Sequence, residues 1–190
     1  MALNSITGFA SFKPILGICC DLVNPDVVVE WGPGASTEFM LEKTNAVIHT
    51  WENAPSYYNQ AKNTYEGNNR VVVYNGVGGR GNGKNPAYAN APMLMFQPGS
   101  VKLLFVDGRA RADCMICAAQ LVSDDGIVVL HDDARPAYDQ GRQVYPFCFR
   151  NGGTITGVYS KNEALINRVE ERFDINTVPK GYGGTADIPV

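Results

Sequence analysis

The chain has 190 residues, of which 45% are apolar and 18% charged, enough for one hydrophobic core and too little charge for a disordered or coiled-coil chain. Sixteen Lys and Arg against nineteen Asp and Glu give a net charge of -3, without the basic stripe that a nucleic-acid backbone requires. No apolar run reaches the length of a membrane span and no charged N-region precedes a signal-type run, so the sequence predicts a soluble cytoplasmic protein, folded as a single domain over 1–190.

In chain order, the pattern predicts a helix over Phe9–Cys20, a short buried strand at Val27–Glu30 ended by Gly32-Pro33-Gly34, and a helix over Ser36–Glu42. A strand at Ala46–Thr50, a helix over Glu52–Tyr65 and a strand at Arg70–Tyr74 complete a βαβαβ half. A Gly- and Asn-rich stretch at about 76–100 is too glycine-rich for regular structure and too long for a simple connector, and predicts a lid or substrate-facing loop. The unbroken apolar strands Val101–Val106 and Ile127–Leu130 flank a helix over Arg109–Leu121, and such strands belong to a parallel sheet covered on both faces. Gln143–Phe149 and Thr154–Tyr159 read as an antiparallel hairpin about Asn151-Gly152-Gly153, followed by a helix over Asn162–Phe173 and an irregular tail at about 176–190. The predicted fold is a doubly wound α/β, mostly parallel, seven-stranded Rossmann-like sheet with an antiparallel C-terminal hairpin.

Val28-Val29-Glu30-Trp31-Gly32-Pro33-Gly34-Ala35-Ser36 puts two glycines at a strand-to-helix junction, where the missing side chains let a ligand approach backbone N–H groups. A dinucleotide fingerprint wants a further glycine where Thr37 stands, and a carboxylate, Glu30, precedes the turn, which weakens a dehydrogenase reading. Acid-x-Gly-x-Gly after the first strand resembles the first motif of the class I S-adenosylmethionine-dependent methyltransferases, with Ser36 where a third glycine is common. The resemblance implies that Glu30, Gly32, Gly34 and Ser36 lie along S-adenosylmethionine, that Glu52 holds its ribose, and that Asn75 and Gly76 lie near the adenine. The alternative for Glu52 is that it only caps the start of its helix.

Asp107, after the fourth strand, and His131-Asp132-Asp133, after the fifth, fall at the same sheet edge as the glycine turn. Three carboxylates together repel unless a positive charge sits among them, and a hard divalent cation, most simply Mg2+, would supply it. This arrangement resembles the metal-dependent O-methyltransferases of the catechol and macrocin types, which implies Asp107, Asp132 and Asp133 as metal ligands. The metal-free alternative has Asp107 at the end of the cofactor, with Asp132 and Asp133 capping backbone or pairing with Arg109, Arg111 or Arg135. Some macrocin-type enzymes carry a catalytic carboxylate where this chain has Arg109, so the base falls to His131, with Asp133 as the fallback. Arg109 either binds a substrate oxygen or neutralises the rim, and a structural role for His131 is the competing reading.

His49, inside the second strand, reads as structural, and Cys114-x-x-Cys117 as core packing, since no second pair stands at zinc spacing. An odd count of five cysteines, with Cys19 and Cys20 adjacent, argues against a disulfide framework. The functional expectation is S-adenosylmethionine-dependent O-methylation of a small polar acceptor, with a sugar or glycan suiting the polar loop, Tyr88 and Arg109 better than a flat phenol. The alternatives are a metal-independent methyltransferase and a non-catalytic domain that binds the cofactor or a partner. Neither a nucleic-acid nor a membrane partner is expected, and a homo-oligomer is compatible with the sequence.

Overall fold

In the computed structural model, residues 12–76, 84–150 and 155–174 are described. The elements run α1 (Lys13–Val23), β1 (Val27–Trp31), α2 (Ala35–Lys43), β2 (Val47–Glu52), α3 (Pro55–Thr64), β3 (Val71–Asn75), α4 (Pro86–Asn90), β4 (Val101–Val106), α5 (Arg111–Leu121), β5 (Val122–His131), α6 (Asp139–Arg142), β6 (Phe147–Arg150), β7 (Thr156–Ser160) and α7 (Glu163–Arg172). Short 3-10 turns at Ala91–Leu94 and Pro136–Tyr138 precede β4 and α6.

The strands form one seven-stranded sheet in the order β3-β2-β1-β4-β5-β7-β6. The first five of these are parallel, and β7 pairs antiparallel with both β5 and β6. The chain order reverses between β1 and β4, which makes their carboxyl ends the switch point where ligands of open α/β sheets bind.

Strand side chains alternate between two cores. Val28, Ile48, Leu103, Phe105 and Val129 pack against Leu16, Met40 and Ile166 of α1, α2 and α7. Val29, Trp31, Leu104, Val106, Val128 and Leu130 pack on the other face against Met115, Ala118 and Leu121 of α5. The fully buried residues of α1, Ile15, Leu16 and Cys19, recur at helical spacing, so one stripe of the helix faces the sheet. Each wholly buried Leu, Ile, Val or Phe contributes roughly 1.5–3 kcal/mol, so both faces anchor the sheet edge that carries the polar residues.

Several boundaries differ from the sequence reading. The helix expected from Glu52 starts at Pro55, because β2 continues through Trp51 and Glu52 in register with β3. Strand β5 starts at Val122 rather than Ile127, with a register irregularity opposite Val101 and Leu103 that absorbs the polar Ser123–Gly126. The stretch expected to be irregular contains α4, where Asn85 accepts a hydrogen bond from the Tyr88 N–H at 3.2 Å. The hairpin strand expected from Gln143 begins at Phe147, since 139–142 are helical. Its turn at 151–153 and the tail at 176–190 lie outside the described residues. No helix among those residues is long and apolar enough to cross a membrane.

Candidate functional site

Glu30 is the penultimate residue of β1 and is fully buried. One carboxylate oxygen accepts the Ser36 hydroxyl and the other the Thr37 hydroxyl, both at 2.6 Å. Burial without a facing cation pushes the Glu30 carboxyl up to about 7, the two hydroxyls oppose this, and the charge of Asp107 adds to it. Ser36 and Thr37 belong to the first turn of α2, so the acid ties that helix to the strand.

Gly32 adopts φ +91, and a Cβ there would lie 2.7 Å from the Gly108 nitrogen. Its glycine is therefore demanded by the turn and by the approach of the β4 loop. The Gly32 N–H donates to the Trp51 carbonyl at 2.9 Å, and the Gly34 N–H to the Thr37 hydroxyl at 3.0 Å. Both N–H groups that the sequence offered to a ligand are thus used within the chain. What the turn leaves open is space above Gly34, where a Cβ would meet nothing within 4 Å.

At the end of β2 the Glu52 carboxylate accepts the N–H of Ala54, the residue that precedes α3, at 2.7 Å. Burial raises its pKa, opposed by backbone N–H groups and by the charge of Arg109. Beside it a cavity of about 560 Å³ is lined by Asn53, Ala54, Pro55, Ser56 and Arg109. Asn75 ends β3 in register with Glu52, and the Gly76 N–H donates to the Glu52 carbonyl at 2.7 Å.

Tyr88 bridges these strand ends from α4. It is wholly buried, and its hydroxyl donates to the Trp51 carbonyl at 3.1 Å. A Cβ on Gly76 would sit 2.4 Å from its ring, and one on Gly108 would sit 2.1 Å from its hydroxyl oxygen. These two glycines form a notch that the tyrosine fills.

The acidic rim is held by arginine. Arg111 donates from Nε to the Gly108 carbonyl at 3.0 Å, and from Nη2 to the Asp107 carbonyl at 2.8 Å and its carboxylate at 2.7 Å. From Nη1 it reaches the His131 carbonyl and, at 3.2 Å, the Asp132 carboxylate. The three carbonyl contacts are hydrogen bonds and the two carboxylate contacts are ion pairs. The same Asp132 oxygen accepts from Arg135 at 2.8 Å.

Asp133 is turned into the protein and only 3% exposed. It accepts the Tyr159 hydroxyl at 2.6 Å and pairs with Arg142 at 3.4 Å and with Arg150. The expected trio of metal ligands therefore does not converge, and the positive charge among the carboxylates is Arg111. Among the described residues no group of three His, Cys, Asp or Glu is placed to hold a metal ion. The donor set does not fit a divalent cation, and the fallback of Asp133 as base meets the same obstacle, its oxygens being enclosed by Tyr159 and two arginines.

His131 Nδ1 lies 2.9 Å from the Asp107 carboxylate, and Phe12 packs edge-on to the ring with centroids 5.5 Å apart. With the Nδ1 proton shared with Asp107, the other ring nitrogen, Nε2, is the proton acceptor. Asp107, His131 and Asp132 share the rim of β4 and β5, while Arg109, exposed, reaches over the β2 side.

His49 pairs with the Tyr74 hydroxyl at 2.9 Å within a group of stacked rings that includes Trp51, in keeping with a structural role. Cys114 and Cys117 are buried in the α5 core, and burial pushes the Cys117 thiol up to about 12. The residues that the sequence reading underused are Arg111 and Tyr88. Arg111 stands four residues after Asp107, the spacing of a helical ion pair, and this was the one signal available. Nothing local to Tyr88 announces that it fills a notch built from Gly76 and Gly108.

No protein-family model matches the chain, and no curated protein matches it. Solved structures do. A methyltransferase-like protein from Silicibacter pomeroyi superposes with a TM-score of 0.63 at 15% identity, covering 83% of this chain and 93% of that one. A methyltransferase from Geobacter sulfurreducens gives 0.51 at 13% identity, with 74% and 72% covered. Spermidine synthase from Thermotoga maritima gives 0.52 at 11% identity, with 83% of this chain and 59% of that one covered. At such identities the likeness is one of fold, and the chain has the Rossmann-like methyltransferase fold.

Proposed function

We propose that this protein is an S-adenosylmethionine-dependent methyltransferase that acts on a hydroxyl of a small polar acceptor without a bound metal. The observation that carries this reading is that the glycine turn, Glu52, the Asp107–His131 pair and a 560 Å³ cavity lined by Asn53–Ser56 and Arg109 share one switch-point edge. The cavity falls within the range of small-ligand sites. The cofactor supplies a methyl group made electrophilic by its sulfonium sulfur.

The chain's own residues would do the rest. Space above Gly34 admits the ligand, and the Glu52 carboxylate accepts a ribose hydroxyl. Arg109, which lines this cavity and faces Glu52 electrostatically, closes its β4 side. His131, oriented by Asp107, takes the acceptor's proton as the hydroxyl attacks, and Arg111 fixes both ends of that pair by holding Asp107 and the His131 backbone.

Titration calorimetry with S-adenosylhomocysteine tests the first part. Binding is expected, weakened by at least about 1 kcal/mol in Glu52→Ala, the size of a lost charge-assisted hydrogen bond. Unchanged affinity in that variant would remove Glu52 from the site. His131→Ala should keep the affinity and lower kcat on the order of 10²-fold. Near-normal turnover would make His131 structural.

A second reading, a non-catalytic domain, is favoured by one observation: Tyr88 fills the notch between Gly76 and Gly108, where the resemblance placed the adenine. On that reading wild-type protein fails to bind S-adenosylhomocysteine, and Tyr88→Ala gains binding.

A further inference from the structure

Two adjoining cavities open between the loops that follow β4 and β5. One, of about 210 Å³, is lined by Lys84, Ala110–Asp113, Ala137, Tyr138 and Gln140. The other, of about 130 Å³, is lined by Gly108–Arg111, Arg135, Ala137 and Tyr138. They share Ala110, Arg111, Ala137 and Tyr138, so they form one bent recess. Arg109 lines it and also the larger cavity beside Glu52, and so stands between the two.

The charge of this recess is one-sided. Among the described residues its walls carry four cationic side chains, Lys84, Arg109, Arg111 and Arg135, and one acid, Asp113. The acid is engaged, one oxygen accepting the Asn85 N–H at 2.8 Å. Asp107, His131 and Asp132 do not line the recess. Arg111 contributes charge, its guanidinium being engaged by three carbonyls and two carboxylates at the rim and lying 5.6 Å from the Tyr138 ring centroid. Arg135 gives one terminal nitrogen to Asp132, which already has Arg111 as a partner, and its side chain is 57% exposed. The remaining wall is Gly108, Ala110, Ala112 and Ala137 with Tyr138 and Gln140, so cationic donors outnumber side-chain acceptors.

We propose that this recess binds an oxyanion, a carboxylate or phosphate group carried by the acceptor, through Arg135, Lys84 and Arg109. The inference rests on the methyltransferase reading only in identifying the bound molecule as the acceptor; the oxyanion site itself follows from the recess. A neutral sugar needs acceptors as well as donors, and these walls supply mainly donors. A polyamine, the kind of molecule named by the spermidine synthase neighbour, would face like charge. A planar or tetrahedral oxyanion suits walls that carry guanidinium and ammonium groups. This changes the expected acceptor from a hydroxyl-rich sugar to a hydroxylated acid or a phosphorylated hydroxyl compound.

The test uses inorganic phosphate and malonate as probes, titrated separately into the full chain and read by calorimetry and by amide shifts at Ala110, Ala112 and Ala137. At least one anion should bind, with shifts confined to these loops. Arg135→Gln should weaken it about tenfold or more, the loss expected for a charge-assisted hydrogen bond, and adding Lys84→Gln should weaken it further. Arg168→Gln, an equal loss of charge on the exposed face of α7, should leave it unchanged. The tighter of the two anions identifies the group as phosphate or carboxylate. Absence of binding by both, or equal binding by wild type and the double variant, overturns the proposal. Phosphate or malonate bound without S-adenosylhomocysteine binding would keep the anion site and remove the methyltransferase reading, and the reverse result would do the opposite.

Discussion

The acids at the edge of this sheet are held in two different ways. At the β1 turn, Glu30 is sealed from water and held by two hydroxyls with no cation, so its charge is expensive and its pKa rises to about 7. At the β4–β5 rim, Asp107 and Asp132 share the guanidinium of Arg111, and Asp133 pairs with Arg142 and Arg150. A hydroxyl clamp therefore makes a proton-sensitive joint, while a guanidinium clamp makes a joint of fixed charge. The rim residues assigned to proton transfer stand on the second kind, which holds His131 in place.

The largest expected effect comes from removing the guanidinium. Arg111→Ala leaves Asp107 without its arginine and three loop carbonyls without a donor. By analogy with broken buried ion pairs it should cost about 3–5 kcal/mol in urea unfolding. A loss under about 1 kcal/mol would put the rim in the class of surface ion pairs and erase the contrast. Arg111→Lys should recover only part of the loss, because an ammonium cannot reproduce the fork. Since the charge of Asp107 already pushes Glu30 upward, exposing it should push Glu30 further in the same direction.

Next in size is the pH dependence at Glu30. Its pKa in the fold, about 7, lies above the ordinary 4.5, so between these values the native state holds a proton that the unfolded chain has released. Its contribution to stability is fully present below about 4.5 and is lost as pH rises to about 7. Glu30→Gln removes that dependence. The stability of the variant minus that of wild type should rise by on the order of 3 kcal/mol across this window. A flat difference would show that Glu30 titrates as an ordinary carboxylate and that the two joints are alike. The smallest effect is Ser36→Ala, which removes one of two hydroxyls and should cost about 1 kcal/mol while moving the Glu30 midpoint upward.

The fold was legible because apolar runs and helical stripes report burial directly, and β1, β4 and the second half of β5 are built on such runs. The strand ends were legible as places, since Glu30, Glu52, Asp107 and His131 all follow apolar strands. What each acid touches was not. Asp132 and Asp133 are adjacent in sequence, yet Asp132 adopts φ +56 and stays at the rim with Arg111, while Asp133 turns under β7 to Tyr159. That divergence depends on one backbone dihedral and on a strand arriving more than twenty residues later. For the same reason Glu52 spends an oxygen on its own helix start, and the glycines at 76 and 108 serve a tyrosine from another segment.

The position of β7 also constrains how the chain assembles. It lies between β5 and β6, and among the described residues β6 pairs with β7 alone. Phe147–Arg150 thus precede in the chain the strand they pair with, and they must wait off the sheet while the apolar edge at Val128–Leu130 stays open. In pulse-labelled hydrogen exchange during refolding, amides of β6 should gain protection no earlier than those of β7, after the parallel half. Earlier protection of β6 would mean that it nucleates elsewhere and is carried in. Until β7 closes that edge, the refolding chain offers a ready template to a second copy of itself, so its yield should fall as protein concentration rises.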